Sequence, residues 1–362
     1  MSFTAMSLFS GMGGDSLGIK NAGGNVIAYS EFWNKAVETH DLNFPNCVLL
    51  KNTNEKSKDQ TNIQKLTDAN FEEYRDRIDL IFAGFPCQPF SQAGKKKVND
   101  PRNTLFHQFV RATNIIKPKY IIGENVNGLL SRKTSDGELF IDVIKSEFER
   151  IGYKISYKVC HADRYGVPQK RKRLIIVGIR NDIEQEFVFP EGNNTAVGLE
   201  DIIKFDMTVA IKIEKDDLDM ETLQEECIVT DLSNTEGEDV SNIHPYLKLK
   251  AKTRNQEWAD KTHYTTISFG KRDSPIHAEI IDIRNPSKTI ICTYEHQPRL
   301  FVPLRNANGY YLRCILPNEL KQIQGFPIDY KLSGNKKDQI KQIGNAVPPP
   351  LIEEIVRSLV NN

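Results

Sequence analysis

The sequence predicts an α/β fold: a doubly wound sheet of mixed strand direction, joined to a smaller, irregular β-rich domain. Three observations carry this. Short apolar runs alternate with helical patterns over the first 180 residues. A glycine-rich turn follows the first of those runs. The rhythm then stops near residue 182, where acidic and basic stretches take over.

The elements follow in order. "TAMSLFS" (4–10) reads as the first strand and passes through glycines into "DSLGIKNAG" (15–23), a helix ending at glycine. "NVIAYS" (25–30) is a second strand and "FWNKAVETHDLNF" (32–44) a helix. "DLIFAG" (79–84) and "YIIGEN" (120–125) are further strands. "LFIDVIKSEFERIG" (139–152) has apolar residues at helical spacing, and "RLIIVGIR" (173–180) is another apolar strand. In doubly wound sheets ligands bind beyond the carboxyl ends of the strands. Glu31, Cys87 and Glu124 all fall at or just past such an end, so they are expected on one rim.

Past residue 182 a second domain is expected. Residues 213–239 carry eleven acidic side chains and one lysine, whereas 245–288 is richer in basic ones. "LPNELKQIQGF" (316–326) resumes as a helix, and "PPPLIEEIVRSLV" (348–360) is a terminal helix with proline in its first turn. The expected division is 1–181 completed by 335–362, with 182–334 as the smaller domain.

Composition narrows the class. Lys plus Arg and Asp plus Glu both number 48, so net charge points to no partner by itself. No apolar run approaches the ~20 residues that span a bilayer, and the start lacks a basic, then apolar, leader. A cytoplasmic protein without signal peptide or transmembrane segment is expected. The six cysteines, at 47, 87, 160, 227, 292 and 314, form no C-x-x-C pair. That argues against a metal centre and for free thiols in a reducing compartment.

Two stretches carry chemistry. In "LFSGMGG" (8–14) the glycines allow close approach to the backbone, and the following helix N-terminus favours negative charge. The spacing lacks the third glycine of a dinucleotide fingerprint. With Glu31 placed to grip ribose hydroxyls and Phe9 to stack on a base, these residues suggest an adenosine-containing cofactor; plain structural turns are the alternative. The other stretch is "AGFPCQPFSQAG" (83–94), where Cys87 follows a rigid proline. "ENV" (124–126) offers a carboxylate at the next strand's end, and "QKRKR" (169–173) offers cations, which favour a reactive thiolate. An inert loop cysteine, a capping glutamate and a solvated basic patch are the bland readings.

These blocks together resemble the cytosine-C5 DNA methyltransferases. "SLFSGMGG", "GFPCQPFS", "ENVNGL", "YGVPQKRKRLIIVG", "LPNELKQIQGFP" and "QIGNAVPPP" occur in that family's order, at both ends of the chain. The resemblance implies a Rossmann-like, S-adenosylmethionine-dependent catalytic domain. It implies that Cys87 adds to C6 of a cytosine flipped out of duplex DNA, so that C5 can take the methyl group. Glu124 would serve N3, Arg173 the O2 edge, and Arg171 would orient the groups around them. Carried over for the cofactor are Phe9, Gly11, Gly13, Glu31, Pro86, Leu105 and Asn345. Where the family usually has Asp for the adenine amino group, the nearest match is Asn62–Ile63, an acceptor without charge. The loop 88–106, with Lys95, Lys96 and Lys97, would close over the nucleotide and meet phosphates.

The resemblance also places target recognition in 182–312. There "HYTTISFGKRDSPIH" (263–277) is a groove-facing candidate and Thr289 a contact to phosphate or flipped base; the acidic 213–239 is expected to face away from DNA. A monomer is expected, with a cognate restriction endonuclease acting separately as an open partner. Two competing readings remain at this point. One branch of the family methylates tRNA, and "CTY" (292–294) partly matches its recognition element. A non-catalytic DNA-binding relative would have lost Cys87 or Glu124, and both are present.

Overall fold

A computed structural model describes residues 2–55, 59–86, 104–134, 137–193, 196–213, 225–232, 279–295 and 300–361. Cys87, Lys95 to Lys97, segment 263–277 and most of the acidic 213–239 stretch lie outside the described residues.

The strands of the larger sheet are β1 (Phe3–Leu8), β2 (Gly24–Ser30), β3 (Val48–Leu49), β4 (Leu80–Ala83), β5 (Tyr120–Val126), β6 (Tyr153–His161) and β8 (Lys172–Arg180). They lie in the order β3-β2-β1-β4-β5-β8-β6. The first five run parallel; β8 is antiparallel to both β5 and β6, so the sheet is mixed, as expected. β4 is buried at every position, as befits a central strand covered on both faces. The edge strand β6, "YKISYKVCH", escaped the sequence reading because lysines interrupt its apolar pattern.

The helices are α1 (Gly14–Asn21), α2 (Asn34–Asn43), α3 (Ala69–Glu72), α4 (Thr104–Ile116), α5 (Phe140–Arg150), α6 (Pro317–Ile323), α7 (Lys336–Asn345) and α8 (Pro349–Val360). Residues 104–106, read as the end of a loop, instead open α4. One face of the sheet packs Met6, Leu8 and Ile81 against Phe109 of α4 and Phe148 of α5. The other packs Ala5, Leu80 and Val177 against Ile352, Ile355 and Val356 of α8. Close contact of α1 with α8 depends on Gly18: an added Cβ would meet Ile352 Cβ at 2.7 Å.

A smaller sheet holds β9 (Ile211–Ile213), β10 (Val229–Thr230), β11 (Glu279–Ile280), β13 (Leu300–Asn306) and β14 (Gly309–Cys314). One apolar cluster joins it to the C-terminal segment: Val302 and Leu304 of β13, Leu320 and Ile323 of α6, Ile340 and Ile343 of α7, and Met12 from the glycine turn. Two short strands, β7 (Gln169–Lys170) and β12 (Ser287–Lys288), pair in parallel and tie "QKRKR" to "NPSKT". The described part of the acidic stretch is anchored where Arg305 Nη1 meets Glu225 Oε2 at 2.7 Å. No helix among the described residues is long and apolar enough to cross a membrane.

Candidate active site and cofactor cavity

The glycine turn bends where side chains fit poorly. Phe9, Gly11 and Gly13 have φ of 57°, 55° and 90°. A left-handed Phe is strained and is held there by its surroundings. At Gly13 a Cβ would come within 2.8 Å of the Phe44 ring and 2.9 Å of the Tyr330 hydroxyl. The turn is thus pressed against the C-terminal part of the chain, and the Tyr330 hydroxyl donates to the Met12 carbonyl.

Glu31, just past β2, clamps the turn from the other side. Its Oε2 accepts from the Gly11 N–H (2.9 Å), and its Oε1 accepts from Phe32 N–H (2.9 Å) and Trp33 N–H (2.8 Å). Burial raises the carboxyl above its usual range, while these three N–H groups, and Lys341, pull it back.

Between these groups lies a cavity of about 720 Å³, a size typical of small-molecule sites. Phe9, Gly11, Glu31, Asn62, Ile63, Pro86, Leu105 and Asn345 all line it, as do Glu124, Arg171 and Arg173. Gly13 does not; it is buried behind the turn and shapes it. Asn62 points its Oδ1 at the Gln64 N–H (3.0 Å), leaving one lone pair of that oxygen for another donor. Among the lining residues that escaped the sequence reading are Phe32, Trp33, Lys341 and Asp15. The aromatic pair in "EFW" was a usable signal, since Phe32 is 73% exposed at a cavity mouth. Lys341 gave none, because it reaches the Trp33 ring (4.3 Å to the centroid) from the far end of the chain.

At the other end of the cavity β5 and β8 run antiparallel, with Val126 opposite Arg173. That register sets Arg173 Nε 2.7 Å from Glu124 Oε1, with both side chains largely buried. Burial pulls the Arg173 guanidinium down from its usual value, and Glu124 opposes this. Arg171 is wholly buried; it donates to the carbonyls of Ile290 (3.1 Å), Gly344 (3.1 Å) and Ala346 (3.0 Å). Asn125 donates to the Phe85 carbonyl at 2.9 Å, so the strand end bearing Glu124 holds the chain two residues before Cys87. Pro86, the immediate neighbour of Cys87, lines the cavity. The Thr289 hydroxyl is exposed beside these groups and donates to the Lys170 carbonyl at 2.9 Å.

The arrangement is a ligand cavity with the Glu31-clamped glycine turn at one end and a carboxylate–guanidinium pair at the other. Comparison with known proteins gives the family. The model of the C-5 cytosine-specific DNA methylases matches residues 3–361. The Type II methyltransferase M.Eco47II of Escherichia coli is 30% identical over 99% of this chain and 79% of its own length. M.BspRI of Lysinibacillus sphaericus, also a Type II methyltransferase, is 29% identical over 99% of this chain and 81% of its own. Among solved structures, a DNMT2 mutant of Spodoptera frugiperda superimposes with a TM-score of 0.66 at 19% identity, covering 99% of both chains. The methyltransferase EhMeth of Entamoeba histolytica gives 0.65 at 17%, covering 100% of this chain and 98% of its own. At such identities these two speak for the fold alone.

Proposed function

Since the chain belongs to the C-5 cytosine-specific DNA methylase family, and so methylates cytosine in DNA, we propose which of its residues carry the reaction. Cys87 is the nucleophile. Its thiolate forms a bond to C6 of the flipped cytosine, and the electron pair of the C5–C6 double bond shifts so that C5 becomes nucleophilic. N3 gains a proton as sulfur adds, and Glu124 serves that proton. Arg173 holds the O2 edge. Once C5 has taken the methyl group, a base removes the C5 proton, the double bond re-forms and the thiolate leaves. The single observation that supports this reading is the Glu124–Arg173 pair, 2.7 Å apart in the wall of a cavity shared with Pro86.

The cavity suits S-adenosylmethionine. Glu31 keeps acceptor capacity toward ribose hydroxyls beyond its three backbone partners. Phe32 offers an exposed ring to adenine, Asn62 an acceptor to the adenine amino group, and Asn345 a polar group toward the methionine end. When bound, the cofactor supplies an electrophilic methyl group.

Arg171 orients its neighbours: it holds the backbone at Ile290, Gly344 and Ala346 around the Glu124–Arg173 pair. We assign the reading of the DNA sequence to 182–334, with Thr289 at its entry, and the rest of the chain to catalysis. The chain acts as a monomer, and its Type II relatives suggest a separate cognate endonuclease. Duplex DNA carrying 5-fluorocytosine tests the nucleophile, because fluorine at C5 blocks the final elimination. A covalent protein–DNA complex that survives denaturation and maps to Cys87 is expected; an adduct at another residue would overturn the assignment.

A further inference from the structure

Asp15, in the first turn of α1, is a buried carboxyl that the reaction above does not use. It is 1% exposed and yet lines the cavity. Its Oδ2 accepts from the Ser7 hydroxyl and its Oδ1 from Ser10 Oγ at 3.3 Å. No basic side chain among the described residues pairs with it. Burial pushes the carboxyl up to about 7, against the Ser7 hydroxyl, the backbone N–H groups of Asp15 and Ser16, and Ser10, which lower it.

His40, Cys47 and Tyr330, packed around Asp15, hold their charge state around neutral pH. Ser16 Oγ meets His40 Nε2 at 3.0 Å, and burial lowers that imidazole to about 3, so it stays neutral. Burial raises the Cys47 thiol to about 12 and the Tyr330 hydroxyl well above its usual value. Across the cavity stand Glu31 and Lys341 near the turn, and Glu124, Arg132, Arg171 and Arg173 beyond.

The two ligands this cavity must handle have almost the same shape. The methyl donor carries a sulfonium cation; the demethylated product is a neutral thioether. We propose that Asp15 is the specificity-determining residue by which this chain favours the cationic methyl donor over its neutral product, its carboxyl giving up a proton when the sulfonium enters and regaining one from solvent when the methyl group has left. This rests on the reading of the cavity as the S-adenosylmethionine site. A cation in a poorly solvated cavity stabilises a nearby carboxylate, and by linkage the carboxylate form binds the cation more tightly. A neutral ligand has no such preference. Ser7 and Ser10 suit both states, since a hydroxyl donates to a carboxylate and accepts from a carboxylic acid.

Calorimetry on the purified full chain tests this without any methyl transfer. S-adenosylmethionine and S-adenosylhomocysteine are titrated at pH 6, 7 and 8, each in two buffers of different ionisation heat. For the donor, affinity should rise about threefold or more from pH 6 to 8, with a fraction of a proton released at pH 7. For the product, affinity should stay nearly flat, with no proton released. Asp15→Asn should remove the difference. Glu31→Gln should weaken both ligands alike and leave the difference in place. Equal pH profiles for the two ligands in the wild-type chain would overturn the inference, as would a profile that persists in Asp15→Asn or vanishes in Glu31→Gln. The proton count in the wild-type chain decides even if Asp15→Asn fails to fold. Failure of the cavity reading looks different: neither ligand would bind at any pH.

Discussion

Glu124 and Arg173 meet diagonally across two antiparallel strands, Oε1 to Nε at 2.7 Å, with side chains only 12% and 13% exposed. Neither residue is near the other in sequence; the β5–β8 register joins them. Glu124→Gln should lower kcat by about 100-fold or more, the usual scale for a lost general acid. Arg173→Ala should lower kcat/KM for DNA by roughly 10- to 100-fold, the scale of one charge-assisted hydrogen bond. Measured singly and together, the two changes should be less than additive, because each removes the other's partner. Additive losses would mean that the pair does not act as a unit.

Arg171 differs in kind. Its guanidinium satisfies three carbonyls from two distant segments and is only 1% exposed. Arg171→Ala leaves the Ile290 and Gly344 carbonyls buried without donors, at about 1–3 kcal/mol each, while the Ala346 carbonyl keeps Gln324 Nε2. A loss of at least about 2 kcal/mol in urea unfolding is expected. Arg171→Lys, which cannot reach all three, should recover only part of it.

The Trp33–Lys341 contact joins opposite ends of the chain at the Glu31 end of the cavity, where we propose that adenosine binds. A half-exposed cation–π pair contributes about 0.5–1 kcal/mol. Trp33→Ala and Lys341→Ala should each weaken S-adenosylmethionine binding by about two- to fivefold in equilibrium dialysis, with no change in the Kd for DNA.

Asp15 and His40 give stability opposite dependences on pH. Asp15 is raised from 3.8 to about 7, so the native state binds its proton more tightly than the unfolded chain does. Its contribution is therefore full at low pH and is lost between about pH 4 and 7. His40 is lowered from 6.5 to about 3, so its contribution is full above about pH 6.5 and is lost toward pH 3. Between those limits the two slopes oppose. Asp15→Asn removes one of them. Relative to the wild type it should gain a few kcal/mol as pH rises from 4 to 7. Denaturant midpoints across that range check this.

Much of this was legible in the sequence because the pattern is local. The strands β1, β2, β4, β5 and β8 are short apolar runs, and Glu31 and Glu124 sit where two of them stop. The paired roles were not legible. Gly13 reads as a ligand contact, yet its α-carbon is pressed against Phe44 and Tyr330, which arrive from later in the chain. Lys341 of α7 reaches Trp33, and Tyr330 of the segment between α6 and α7 reaches Met12, only through tertiary packing. Asp15 reads as an ordinary first-turn acid, and only its burial beneath the turn makes it unusual. The hidden edge strand β6 shows the same limit: its lysines face solvent, so its apolar pattern is half erased.

The most direct test uses tritiated S-adenosylmethionine and three substrates: mixed-sequence duplex DNA, the same DNA with every cytosine replaced, and total tRNA. A Cys87→Ser protein runs in parallel. The account predicts label in the cytosine-containing duplex only, and none with the variant. Label in tRNA alone, or label in DNA that survives Cys87→Ser, would contradict it.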